Sequence, residues 1–206
     1  MPDREYHRPM TPGDGFFGAI EGGTDPFRLS EAADRAATLL VRGAHGTGDG
    51  EVAERVVHLA DSEGLETLAE LWSGAPADSL AGCLWRLYLL RSWVYADPVG
   101  AAAQFEAGRV RAPVARVVAG VAEPPGPEEL KAMVDQVLRG IAAGDFADVL
   151  FRAAAFARVI AFGRASLPEG DPALDTHPHG RDAARMLALA EQLEGAGHLE
   201  LERGLG

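Results

Sequence analysis

Apolar residues recur at a spacing of three to four residues along most of the chain, and no segment alternates apolar and polar residues as a half-buried strand would. The pattern predicts an all-α protein of about nine helices, bounded by glycine, proline and capping residues. We expect helices near 26–42, 49–63, 65–73, 78–96, 98–107, 113–121, 127–141, 146–164 and 180–195.

Two of the predicted helices, 78–96 and 146–164, are apolar around nearly their whole circumference. In the first, Leu87 falls on one face, whereas Trp85 and Leu89 fall on the opposite face. A helix that is apolar on all sides is normally buried on all sides. We therefore predict an irregular helical bundle that packs around these two buried helices.

A short α-solenoid of helix pairs is the alternative architecture, since residues 65–95 have the form of one two-helix repeat. No such unit recurs at a fixed period, although the pattern Gly-Arg-x-x-x-Pro occurs at both 108–113 and 163–168. We interpret both occurrences as a helix stop, in which a glycine ends the helix and a proline follows.

The length and composition fit a single domain. A chain of 206 residues, with 47% hydrophobic and 24% charged residues, can bury a core without disulfides. We expect an irregular N-terminal tail at 1–25, which is rich in glycine and proline, one helical domain at 26–200, and a C-terminal tail at 201–206.

Charge and sequence patterning favour a cytoplasmic protein that binds neither nucleic acid nor membrane. The net charge of −12 gives an acidic surface that repels phosphate, although residues 84–164 hold ten basic and eight acidic residues, a net charge of +2. No apolar run approaches the ~20 residues that span a bilayer. The N-terminus lacks the apolar stretch of a secretory signal, and Cys83 is the single cysteine.

Arginines on the two long helices are the main candidates for ligand binding. Arg91 falls at the centre of the apolar face of the first helix, and a desolvated guanidinium needs a carboxylate or an anionic ligand. Arg86 on the same helix, with Arg152 and Arg158 on the second, could complete an anion pocket between them. The alternative is structural ion pairing, for which the candidate carboxylates are Asp97, Asp135 and Asp148.

A metal site is a further candidate at His177 and His179, whose imidazoles could bind a divalent metal with the help of nearby carboxylates. The alternative is a solvent-facing loop that caps the last helix, since the pair lacks a defined third ligand. Cys83 falls on the core face of its helix without an activating base, which predicts a buried, inert thiol. We assign no catalytic residue and no cofactor.

The candidate interaction surface consists of Trp85, Leu89 and Trp93. If helix 146–164 covers only the other face of helix 78–96, this surface requires a protein partner or a second copy of the chain. We therefore predict a non-enzymatic interaction or regulatory module that forms a homodimer or binds another protein. The alternative function is a small anionic-ligand-binding protein, or an enzyme, that uses the Arg-lined pocket.

Three stretches within about residues 80–165 read LWRLYLLRSWVYADP, APVARVVAGVAEPPGPEELKAMVDQVLRG and GDFADVLFRAAAFARVIAFGRA. In these stretches the chain resembles a family of short actinobacterial proteins of unassigned activity. Some such proteins are described as RNA polymerase β subunits, a role for which this chain is far too short. The resemblance implies a helical fold and a bacterial cytosol, and it transfers no active residue.

Overall fold

The computed structural model describes residues 26–42, 65–111, 125–138, 145–174 and 182–205. In these residues the chain forms seven packed α-helices, a 3-10 turn at Pro172–Leu174 and no strand, which confirms the all-α class. The helices predicted at 49–63 and 113–121, and the tail predicted at 1–25, lie outside the described residues. The helices are α1 (Pro26–Arg42), α2 (Leu65–Trp72), α3 (Leu80–Ala96), α4 (Pro98–Arg111), α5 (Pro127–Leu138), α6 (Phe146–Ser166) and α7 (Ala183–Arg203).

Short polar side chains cap the starts of the long helices, because the first amides of a helix have no partner within it. The Asp145 carboxylate accepts a hydrogen bond from the Ala147 amide, at 2.9 Å, where α6 begins. The Asp97 carboxylate accepts from the Gly100 amide, at 2.9 Å, where α4 begins. Both caps confirm the helix starts that the sequence predicts.

Helix α6 lies at the centre of the described structure. Fifteen of its 21 residues are buried, and it packs along α7 on one side and α4 on another. Alanines at many of its positions allow this close packing, while Phe156 and Ile160 fill the space between neighbouring helices. The burial of α6 follows from a sequence that is apolar on nearly every face.

Helix α3 is buried on one face, not on all sides as its sequence suggests. Leu84 and Leu87 are fully buried, and α1, α2 and α5 are its main neighbours. On the outside, Leu89 is 42% exposed and Tyr95 is 46% exposed. The prediction that α3 is buried on all sides is therefore wrong. Its neighbours cover only one side of the helix, and apolar side chains on the other side stay in contact with water.

Two glycines that were expected to end helices lie inside them instead. Gly108 lies within α4 and Gly163 within α6, so the helix-stop interpretation of Gly-Arg-x-x-x-Pro is wrong. A Cβ atom on Gly108 would lie 1.9 Å from the Val159 carbonyl oxygen, and one on Gly163 would lie 1.9 Å from the Gln104 carbonyl oxygen. The glycines therefore let the backbones of α4 and α6 approach closely where the helices cross.

The last helix is longer than the sequence predicts. α7 continues through Gly195 and Gly197 to Arg203, into the segment expected to be a C-terminal tail, and Leu205 beyond it is buried. Gly197 lies against the Phe151 ring, which a Cβ atom would approach to 2.9 Å. Packing against α6 thus outweighs the low helix propensity of glycine.

An ion pair between Arg42 and Glu200 fastens the end of α7 to the end of α1. Both guanidinium nitrogens Nη1 and Nη2 of Arg42 donate to the two carboxylate oxygens of Glu200. The Leu205 amide donates to the same carboxylate at 2.7 Å. Bidentate pairing of this kind holds two helix ends in a defined geometry.

This contact predicts a pH dependence of stability. Hydrogen bonds from Arg42, and a weaker contribution from the Leu205 amide, lower the pKa of the Glu200 carboxyl below its usual 4.5 although burial opposes them. Its charged form therefore stabilises the fold above the unfolded pKa, and this contribution is lost as the pH falls through the folded pKa. We expect Glu200→Gln to lower the free energy of unfolding by about 1 kcal/mol at neutral pH.

Urea unfolding of the variant and the unmodified protein over a range of pH measures this effect. The difference between the two proteins should shrink as the pH drops below 4.5 and vanish in acid. A difference that stays constant across the whole range would mean that the glutamate acts by packing and not by its charge.

Candidate functional site

Of the four predicted arginines, Arg91 contacts α5, Arg86 and Arg158 contact α7, and Arg152 lines a cleft. Arg91 pairs with Asp135 of α5, one of the three carboxylates that the sequence suggested. The Tyr95 hydroxyl donates to the same carboxylate at 2.9 Å, and the Arg91 guanidinium lies 4.2 Å from the centre of the Tyr95 ring. Arg91 is therefore charge-compensated, and its contacts join α3 to α5.

Two further arginines make contacts with α7. Arg158 is buried and pairs with Glu194. Arg86 donates from Nε to the Gln192 side chain at 2.7 Å and from Nη1 to the Gly82 carbonyl at 2.8 Å, and burial lowers the pKa of its guanidinium. These contacts make both side chains structural links between α7 and the long helices, although the buried Nε of Arg158 has no hydrogen-bond partner.

Arg152 differs from the other three in lining a cleft. It is half-buried, its Nε has no hydrogen-bond partner, and no carboxylate among the described residues pairs with it. It lines a cleft of about 600 Å³ together with Arg109 of α4 and residues at the start of α5. Of the predicted arginines, Arg152 is thus the one that lines this cleft without an ion-pair partner among the described residues.

A buried arginine that the sequence did not single out lies where α4 and α6 cross. Arg164 donates from Nε to the Gln104 side chain at 2.8 Å and from Nη1 to the Asp182 carbonyl at 3.3 Å. Its guanidinium also lies 4.8 Å from the centre of the Trp93 ring. Burial lowers the pKa of Arg164 to about 10, although the charge of Asp182 opposes this shift. The sequence pattern did not indicate that Arg164 is buried, because basic residues near the end of a helix are common on protein surfaces.

The predicted interaction surface is divided by the structure. Trp93 turns toward α6, with its ring centre 6.4 Å from that of Phe156. Trp85 stays half-exposed and stacks on Tyr88 with a centroid distance of 5.8 Å, beside the exposed Leu89. One stripe of outward residues on α3, which we call the outer face, carries no charge and consists of Trp85, Tyr88, Leu89, Ser92 and Ala96. Arg86, Arg91 and Tyr95 lie to either side of this stripe.

The remaining candidates concern thiol and metal chemistry. Cys83 is fully buried, and burial raises the pKa of its thiol to about 12, which confirms the predicted buried thiol that does not ionise at neutral pH. His177 and His179 lie outside the described residues. Across the described ranges, no three His, Cys, Asp or Glu side chains come together as metal ligands would.

No protein family, curated protein or solved structure matches this chain. The resemblance to short actinobacterial proteins therefore stays a prediction. None of the described helices combines the length and the apolar character that crossing a bilayer requires. The basis for a functional assignment is the geometry of the outer face of α3 and of the cleft beside Arg152.

Proposed function

We propose that this protein is a cytoplasmic, non-enzymatic interaction module that forms a homodimer through the outer face of α3. In this proposal the helices form an irregular bundle around α3 and α6, and α3 is shared between the core and the interface. The observation that carries the proposal is the exposure of Leu89, at 42%, in the middle of an uncharged face with two aromatic side chains.

A dimer that buries the outer face would remove from water the apolar surface that the isolated chain exposes there. Apolar surface gains roughly 25 cal/mol for each Å² removed from water, and Trp and Tyr are enriched where protein interfaces are best packed. Trp85 and Tyr88 are already stacked on each other, so little side-chain entropy is lost when a partner covers them. Association through this face therefore orders few additional side chains.

The lack of charge on the outer face permits a second copy as the occupant. The chain has a net charge of −12, so two copies repel each other over most of their surfaces. In a two-fold dimer, residues near the axis meet their own counterparts, and a charged residue there would meet its like. The outer face avoids this repulsion because none of its residues is charged.

We expect Leu89→Glu to raise the dimer dissociation constant at least about tenfold, because association would then bury two carboxylates against apolar surface. Sedimentation velocity over a range of protein concentrations measures the constant directly. The matched control is Val110→Glu on α4, since Val110 is 80% exposed and lies outside the outer face.

The control should dimerise like the unmodified protein, with the same thermal stability. An unmodified protein that is monomeric at every concentration would overturn self-association. Equal loss of the dimer in both variants would show that added negative charge alone dissociates it, and would remove the outer face from the interface.

A further inference from the structure

The cleft beside Arg152 lies away from the outer face of α3 and is formed by α4, α5 and α6. Its volume of about 600 Å³ falls in the range of roughly 300–1,000 Å³ that is usual for small-molecule sites. Arg109 lines it from α4 and Arg152 from α6, and the largely buried ring of Phe105 adds an apolar wall. The cleft thus combines an apolar surface with two guanidinium groups and, at the start of α5, the carboxylates of Glu128 and Glu129.

Arg152 has no ion-pair partner among the described residues, although Glu128 and Glu129 line the same cleft. Its buried Nε atom donates no hydrogen bond to any of the described residues. A partly desolvated cation is normally stabilised by a carboxylate or phosphate that accepts its hydrogen bonds, often two at once. An anionic group of a separate molecule would supply such a partner to Arg152.

The acidic residues at the cleft have other partners. Glu129 accepts a hydrogen bond from the Gly126 amide at 3.2 Å, and Glu128 pairs with Lys131 at 2.7 Å. Arg109 pairs with Glu106 at 3.2 Å, within one turn of α4, and both side chains are exposed. Exposed pairs of this kind contribute little, so Arg109 can turn to a stronger anionic partner.

We propose that this cleft binds a small organic anion, with Arg152 and Arg109 holding its carboxylate or phosphate group and Phe105 contacting its apolar part. The surrounding chain supports anion binding, since residues 84–164 have a net charge of +2 within an acidic protein. The proposal is independent of dimerisation, because none of these residues belongs to the outer face.

Isothermal titration with phenyl phosphate and with benzoate tests the proposal and distinguishes phosphate from carboxylate ligands. We expect saturable one-site binding of at least one probe, and a dissociation constant at least about tenfold higher in Arg152→Gln, because a charge-assisted pair is lost. Arg109→Gln, at a more exposed site, should also raise the dissociation constant of the same probe.

Arg203→Gln is the matched control, since it removes one positive charge from an exposed position in the last turn of α7. This variant should bind the probe as the unmodified protein does. Failure of both probes to bind, or an equal weakening in the control and in the two cleft variants, would overturn the proposal.

Discussion

Alanine in place of Gly163 is expected to lower the free energy of unfolding by about 3 kcal/mol. The added Cβ would lie 1.9 Å from the Gln104 carbonyl oxygen, a backbone atom of α4 that cannot rotate away. α4 and α6 would have to separate, and the hydrogen bond from Arg164 to the Gln104 side chain would be strained with them. Urea unfolding followed by circular dichroism measures the loss.

Gly195→Ala provides the control, because Gly195 also lies inside a long helix but a Cβ there meets no atom within 4 Å. That variant should gain up to about 1 kcal/mol, since alanine favours the helix more than glycine does. The two substitutions should therefore move stability in opposite directions. If both raised it, the backbones of α4 and α6 would not be as close as the structure places them.

The same glycines show where sequence reasoning reaches its limit. Gly108 and Gly163 were interpreted locally, as residues that end helices, because glycine has a low helix propensity. Their actual role depends on α4 and α6 crossing at that point, and no pattern within either segment encodes which helix will be the neighbour. The repeated Gly-Arg pattern was visible in the sequence, but the role of its glycines depends on how α4 and α6 pack together.

Features that depend on neighbours in the chain were predictable. The caps formed by Asp97 and Asp145 each act on an amide two or three residues away, so short sequence patterns identify them. The helical class and the burial of α6 follow from a periodicity that extends over many residues. These features required no knowledge of the packing.

The candidate site was predictable only in its residue types. Asp135 was one of three possible partners for Arg91, and it lies 44 residues further along the chain. The sequence pattern predicted the same role for Arg152 as for Arg86, Arg91 and Arg158, although Arg152 alone of the four lines the cleft. Whether a guanidinium is paired or available is decided by which helix lies opposite, and periodicity carries no information about that.

Removal of the Phe156 ring is expected to have an equally large effect on stability. The ring is fully buried on α6, stacks on Phe105 at a centroid distance of 5.6 Å and contacts Trp93 at 6.4 Å. We expect Phe156→Ala to lower the free energy of unfolding by about 3–5 kcal/mol, because the lost burial is joined by a cavity that the rigid helix cannot close. Urea unfolding measures the loss, and near-ultraviolet circular dichroism should report the changed surroundings of Trp93.

Phe162→Ala is the matched control, because it removes the same side chain from the same helix at a position that is 41% exposed. Its cost should be about 1 kcal/mol or less, since much of that ring already contacts water and its removal leaves no enclosed cavity. The contrast tests the central position of α6 directly. If the two variants lost equal stability, α6 would not have one face inside the core and another at the surface, and the packing of α4 and α7 against it would have to be reconsidered.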